Sequence, residues 1–587
     1  MFMFVDLSGA LMEKTLLCLL IFLPFAASLL VLAIPGHHKR FFPYISLATT
    51  LLVLAGALWL FGSMAAGGGT PAPEDLWLAV KTPWIRLPLG TLGTLGIDFF
   101  IGTDSLNILM VLLTAIVMAV AAASSFEIQT KEKAYHALFL LLAGSTMGCF
   151  LALDFFLFYL FFEFMLLPMF FLIGIWGGHK REYAAIKFFI YTLVGSLLIL
   201  VVLIGLYTSA IDPVATAQNI GLIDNLQAWD AARQAIFYEQ LQRNTIDPAL
   251  LVRTFDMLAM ADARNFLPGS ILSQAQDTTL LGLHPRLLAF LCILIGFAIK
   301  LPVVPLHTWL PDAHVEAPTA ISVVLAGVLL KIGGYGLLRI GFSIFPEGAV
   351  YFAYWMAALG VLAILYAGMV AMGTSNLKRM IALSSVSHMG FVLLGFACLN
   401  ETGVTGGMFQ LFSHGLISPL LFLVAGALYK RTHDLEIPHF KGLQAVMPRY
   451  SALTALAFFA ALGLPGFSGF IAELMVFMGA FQAASTTAVF PLYLAVLATL
   501  GLVITAAYYL WALQRMFLGN FSSFRSFLEG TFHDVDGREM AMMIPLIVAA
   551  LVLGIFPAIV LDLVGGPLGT FIQQVATLGN LNLLANP

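Results

Sequence analysis

Charge is what this sequence has least of. Only 10% of its 587 residues are Asp, Glu, Lys or Arg, against roughly 25% in an ordinary soluble domain. With 61% hydrophobic residues and a mean hydropathy of +0.98, that deficit excludes a soluble globular chain. Cysteine is nearly absent as well. Cys18, Cys149, Cys292 and Cys398 fall singly in four apolar runs with no C-x-x-C spacing, which argues against an iron–sulfur or zinc site built on them and for core packing. No basic patch suits nucleic acid, and no nucleophile triad or nucleotide fingerprint is present. Gly333, Gly334 and Gly336 follow an apolar run and not a strand, so they read as a close helix contact and not as a phosphate loop.

What is abundant is the apolar stretch of about 20 residues, the length that a hydrocarbon core of about 30 Å requires. Fourteen recur, at about 14–35, 42–63, 105–126, 134–152, 155–176, 184–208, 286–312, 318–343, 348–372, 380–399, 406–428, 452–479, 489–515 and 540–564. The first is too long for a signal-peptide core and runs directly into HHKR, so it is kept as a span. The expected class is an all-α polytopic membrane protein. Lys and Arg gather in alternate connections, in HHKR, EIQTKEK, GHKREYAAIK, NLKR, 430–449 and 515–538, and are nearly missing from the intervening short ones. The positive-inside rule places the basic connections in the cytoplasm and both termini outside.

Two segments depart from the apolar pattern. Residues 64–104, with GGGTPAPED and LPLGTLGTLGID, read as a turn-rich outer loop with short strands. Residues 209–285 read as a small outer helical insertion, carried by AWDAARQAIFYEQLQRN and DPALLVRTFDMLAMADARNF, whose plain role is cover or subunit contact. Two spans are interrupted, the seventh after Lys300 by Leu301-Pro302 and the twelfth by Leu464-Pro465-Gly466. Proline removes a helical hydrogen bond, so the freed carbonyls must line a polar interior. The breaks lie five spans apart. A five-span unit crosses the membrane an odd number of times, so its second copy is inverted, and breaks at matching places in inverted repeats mark transport sites. The expected organisation is 1–133 with spans 1–3, 134–343 as the first repeat, 348–515 as the second, and 516–587 as a basic loop, span 14 and a short outer tail.

Six ionisable side chains fall near the middle of their spans: Glu163, Lys300, Lys331, His388, His414 and Glu473. A charge at that depth costs roughly 2.5–3.5 kcal/mol on insertion scales, so each one calls for a partner or a function. Common depth on different helices suggests a polar line parallel to the membrane that water completes into a proton path. Tyr335 and Arg339 continue the Lys331 face toward the outer side. Plainer readings stand beside this: a structural Glu163–Lys300 ion pair, hydrogen-bonded core histidines, and a protonated packing acid at Glu473. His307, Asp312, His314 and Glu316 match no standard zinc spacing and read as the polar lining of a broken-helix exit.

The stretches LALDFFLFYLFFEFMLLPMFFLIGIWGG, FAIKLPVVPLHTWLPDAHVEAPTAISVVLAGVLLKIGGYGLLRI, NLKRMIALSSVSHMGF, FQLFSHGLISPLLFLVAGALY and LGLPGFSGFIAELMVF resemble the antiporter-like membrane subunits of respiratory complex I (NADH:quinone oxidoreductase), in their M-type branch. The resemblance implies fourteen helices with spans 4–8 and 9–13 as inverted five-helix repeats, each holding one broken helix. It implies proton translocation by a Glu163–Lys300 pair, a central Lys331, His388 and His414 on the connecting axis, and a Glu473 terminus, supported by His307, Tyr335, Pro302 and Pro465. It also implies a bacterial cytoplasmic membrane, neighbouring antiporter-like subunits as partners, and no cofactor in this chain, with FMN, iron–sulfur clusters and quinone elsewhere in the complex. The alternative that shares these helices is a subunit of a multi-subunit Mrp-type Na⁺/H⁺ antiporter. The L-type lateral helix is not expected, because few residues follow the last apolar run, and the 209–285 insertion departs from the family pattern.

Overall fold

A computed structural model describes residues 2–70, 75–90, 93–274, 279–486, 490–523 and 532–585. In hydrocarbon no water can satisfy backbone N–H and C=O groups, so the apolar runs have to coil into helices. Spans 1–6 are Phe2–Ala33, Phe41–Ala66, Ile108–Ser124, Glu132–Leu151, Phe155–Trp176 and Arg181–Ser209. Span 7 is two helices, Pro285–Lys300 and Trp309–Glu316, and span 8 is Thr319–Phe342. Spans 9–11 are Ala353–Met372, Leu377–Ala397 and Glu401–Thr432. Span 12 is again broken, into Pro448–Ala461 and Ser468–Thr486, and spans 13 and 14 are Leu492–Phe517 and Gly537–Ile555.

Spans 8, 10 and 11 are buried all round, as helices without a polar face must be in a bundle core. They carry Lys331, His388 and His414. Glycine lets their neighbours come close: a Cβ on Gly360 would meet the Gly390 carbonyl at 2.9 Å, and one on Gly390 would meet the Gly360 carbonyl at 2.7 Å. Gly195 and Gly296 make the matching contact where span 6 crosses span 7.

Among the described residues, fourteen helices are long and apolar enough to cross a membrane, and they differ from the fourteen apolar runs of the sequence at one place. The halves of span 7 are each too short to be counted, and Ala558–Leu581 takes the vacant place. Residues read as a short tail form a 28-residue helix, Ala558–Ala585, set off from span 14 by Phe556-Pro557. Along its length Leu563 lies against Gly69, Gly569 against Glu401, and Gly579 against Pro346, residues in or next to connections at the insertion's end of the bundle. Its buried face, Val560, Leu563, Val564, Leu568, Phe571 and Val575, repeats at helical spacing along the surface.

The insertion has its own small core of Ile211, Ala217, Ile223, Phe237, Leu241 and Leu251. Its second helix-like stretch forms only the five-residue helix Met257–Ala261, because Pro248 and the capping carboxylates of Asp247, Asp256 and Asp262 cut it into short turns. Strand Val252–Arg253 pairs with Thr94–Thr103, itself antiparallel to Leu78–Pro88, so the insertion is sewn to that hairpin. At the seam Lys81 donates to Asp256 at 2.6 Å, and Asp154 accepts from the Leu157 and Asp98 backbone N–H groups. Burial, reinforced by Asp256 and Asp98, pushes the Asp154 carboxyl up to about 7. A second seam is Arg286, packed between Phe266 and Phe345, which donates to Glu347 at 2.5 Å, to the Leu272 carbonyl at 3.1 Å and to the Ile344 carbonyl at 2.6 Å.

Candidate functional site

Both breaks free backbone carbonyls inside the bundle, and the structure shows what takes them. At the first, Trp309 Nε1 donates to the Ile299 carbonyl at 2.9 Å, closing the end of the half-helix that finishes on Lys300. At the second, His388 Nε2 meets the Ala461 carbonyl at 3.1 Å. One break is therefore sealed by the protein's own indole, while the other hands its carbonyl to an ionisable ring.

That ring belongs to a contact series. Lys331, wholly buried, places Nζ 2.8 Å from His414 Nδ1 and 2.5 Å from the Ala326 carbonyl. His414 and His388 lie with ring centroids 5.3 Å apart, and His388 Nε2 is 3.7 Å from Glu473 Oε1. Glu473 fits against the turn of the second break, where Gly463, at φ +72°, leaves room: a Cβ there would lie 2.7 Å from Glu473 Oε2. Ser413 and Ser468 share a 2.7 Å hydrogen bond between spans 11 and 12, beside His414. Spans 8, 10, 11 and 12 thus bring four of the six residues picked from the sequence side by side.

The other two stand differently. Lys300 is buried, with its ammonium 4.9 Å from the Phe162 ring centroid and 5.6 Å from that of Phe188, and without a hydrogen-bond partner. Glu163 Oε1 is also without one, so the two are not in direct contact. Aromatic faces hold the cation by its charge while leaving its protons uncommitted. Of the supporting residues, Pro302 lies in the first break and Pro465 in the second, His307 faces Tyr366 of span 9 edge-on at 5.8 Å, and Tyr335 donates to the Phe150 carbonyl at 3.3 Å.

The four residues with a passing likeness to metal ligands do not converge. Asp312 accepts from Lys187 at 2.7 Å, Glu316 accepts from the Lys180 backbone at 2.9 Å, and His314 stacks on Phe422 at 4.3 Å. His314, which the sequence marks only as lining of the broken-helix exit, has surroundings that the sequence does not show. It is fully buried, neither ring nitrogen has a partner, and it lies within electrostatic reach of both Lys331 and Lys378. Lys378 in turn donates to the Ala317 carbonyl at 3.0 Å and lines a cavity of about 520 Å³ that opens among the basic connections. The signal was present in the chain, a histidine one helical turn past a proline break, but only the packing shows what it faces.

Paired broken helices around a buried series of lysine, histidine and carboxylate define an antiporter-like, ion-translocating membrane subunit. The family model described as NADH:quinone oxidoreductase/Mrp antiporter, TM, matches residues 152–237 and 219–500. NADH-quinone oxidoreductase subunit M of Rhodobacter capsulatus is 37% identical over 97% of this chain and 98% of that one, and NAD(P)H-quinone oxidoreductase chain 4 of Gloeobacter violaceus is 34% identical over 93% and 90%. Among solved structures, a chain of respiratory complex I from Thermus thermophilus superposes with a TM-score of 0.73 at 27% identity, covering 95% of this chain and 99% of its own length. A chain of the Mrp complex from Dietzia sp. superposes at 0.71 with 20% identity over 96% of this chain and 99% of that chain, which shows shared fold alone. The chain belongs to this family, and within it to the M-type (NuoM) membrane subunits of NADH:quinone oxidoreductase.

Proposed function

We propose that this chain moves protons across a bacterial cytoplasmic membrane as the M-type subunit of NADH:quinone oxidoreductase, with electron transfer, FMN, iron–sulfur clusters and quinone in other subunits and with antiporter-like subunits as its neighbours. The observation that carries the reading is the Lys331–His414–His388–Glu473 contact series, ending on a helix break. Protons enter from the basic, cytoplasmic side by way of Lys378 and His314, reach Lys331, and shift along the histidines toward Glu473. Lys300 and Glu163 act as the coupled switch beside it.

Magnitudes require the switch and the series to act together. A carboxylate about 5 Å from a lysinium, at an effective dielectric near 20, stabilises it by about 3 kcal/mol. Lifting a charge against roughly 180 mV needs about 4 kcal/mol. Opening and closing Glu163–Lys300 alone falls short, so Lys331, Glu473 or an adjacent subunit must supply the remainder. Membranes carrying Lys300→Ala or Glu163→Ala are expected to oxidise NADH while translocating fewer protons per NADH. Wild-type stoichiometry in both would sink the mechanism. An Mrp-type antiporter has the same fold; copurification with flavin and iron–sulfur absorbance separates the two, and its lack would favour the antiporter.

A further inference from the structure

The series that ends at Glu473 is not the only polar line leaving Lys331. Span 8 holds two π-helical segments, Leu325–Leu329 and Leu337–Phe342, on either side of Lys331 and Tyr335. Such segments are rare and concentrate at functional sites, and the wider turn keeps residues in register over a longer stretch of one face. Tyr335 follows Lys331 at i+4, about 6 Å further along the helix. Arg339 Nε then donates to the Tyr335 hydroxyl at 3.1 Å, and the Arg339 guanidinium is paired with the Asp104 carboxylate. All three are buried, Asp104 completely. Asp104 also accepts from the backbone N–H groups of Leu106 and Asn107 at 2.9 and 3.0 Å. Beside it, Thr103 Oγ1 is fully buried without a partner, and Thr70 and Ser105 share a 2.7 Å hydrogen bond.

Beyond Arg339 lies a cavity of about 240 Å³, lined by that arginine and Ser343, by Asp262 of the insertion, and by Gln574 and Leu578 of the surface helix. Two elements that the mechanism above leaves unused, the insertion and the surface helix, therefore meet over the outer end of this line. Arginine keeps its proton at any ordinary pH, so it gates and does not carry. Among the described residues, Asp104 is the carboxylate that this line reaches before the cavity.

We propose that Asp104 is a proton-release group of this subunit, reached from Lys331 through the Tyr335 hydroxyl and gated by Arg339. The inference rests on Lys331 being a proton carrier, as proposed above. In the step, the Lys331 ammonium loses a proton to bridging water, and the Tyr335 hydroxyl passes one on as it accepts one. Asp104 gains it as its contact to Arg339 breaks. The guanidinium swings toward the cavity, Asp104 gives its proton to cavity water, and the ion pair re-forms. Charge is conserved throughout, and no bonds other than N–H and O–H change.

The test uses the assembled complex in membrane vesicles, with protons translocated per NADH as the readout and Lys331→Ala as the benchmark. Asp104→Asn keeps the shape and the backbone contacts, and Tyr335→Phe keeps the ring while removing the hydroxyl, with its contacts to Arg339 and the Phe150 carbonyl. Both are expected to lower the ratio, by no more than Lys331→Ala does, with the outer-pH dependence of the ratio lost. If Lys331→Ala lowers it while both keep the wild-type ratio, the outlet is overturned and the Lys331 reading stands. If all three keep it, both fall. Should Asp104→Asn not assemble, Tyr335→Phe decides together with Ser343→Cys, whose modification by a membrane-impermeant thiol reagent from the insertion side is expected to lower the ratio. An unchanged ratio after full modification overturns the proposal.

Discussion

Lys331 is held by a carbonyl and an imidazole, not by a counter-ion. A buried ammonium with a carboxylate partner is locked by Coulomb attraction, whereas one that shares a proton with a neutral base can give it up without leaving an opposite charge stranded. Lys300 uses a third device, the faces of Phe162 and Phe188, which stabilise the cation and accept no proton from it. The two lysines look alike in the sequence and differ entirely in what surrounds them. His414→Phe keeps a ring of similar size and removes the nitrogen that Lys331 meets. Leaving that donor short of an acceptor costs about 1–3 kcal/mol, so the variant complex is expected to unfold at lower temperature and to translocate fewer protons per NADH, while electron transfer from NADH to an artificial acceptor is unchanged. Wild-type proton stoichiometry in His414→Phe would remove the imidazole from the path.

At the scale of elements, span 5 begins on Asp154, which caps its first turn and touches the seam between hairpin and insertion. Its carboxyl is raised to about 7 by burial and by Asp256 and Asp98. A group raised in the fold binds an extra proton there, so its contribution is complete below about pH 4 and is lost as pH climbs through about 7. Raising the pH on the insertion side from about 5 to about 8 is therefore expected to speed proteolytic cleavage of the 209–285 segment. In Asp154→Asn, which keeps an acceptor for the Leu157 N–H, the rate should lose this dependence; the same pH profile in both would refute the assignment. The seam matters because Glu163 rides on the same short helix, Phe155–Phe164, that Asp154 caps.

For the whole molecule, the surface helix Ala558–Ala585 straps distant parts of the chain together. It touches the connection after span 2, the one between spans 8 and 9, and the first residue of span 11. Its 28 residues extend about 42 Å, well beyond a hydrocarbon core of about 30 Å. A helix lying flat presents both ends to one compartment. Ala558→Cys and Asn580→Cys, both exposed, should react with an impermeant thiol reagent from the same side, opposite to the side that labels Lys39→Cys. Labelling of the two from opposite sides would make the helix a crossing and invert the placement of whatever follows it.

The sequence by itself determined the class of the protein and its broken spans, because these follow from one-dimensional facts: too little charge for water, runs of bilayer length, and prolines that no helix interior accommodates. It also marked Lys331, His388, His414 and Glu473, since an ionisable group at mid-span is conspicuous wherever it points. Direction was the part it could not hold. That His314 stacks on Phe422 within electrostatic reach of two lysines, that Lys300 and Glu163 stand apart, that Arg339 is spent on Asp104 more than two hundred residues away, and that the last apolar stretch lies on the surface all depend on which faces of distant helices meet. Helical periodicity assigns a residue to a face; only the packing of the bundle decides what that face meets.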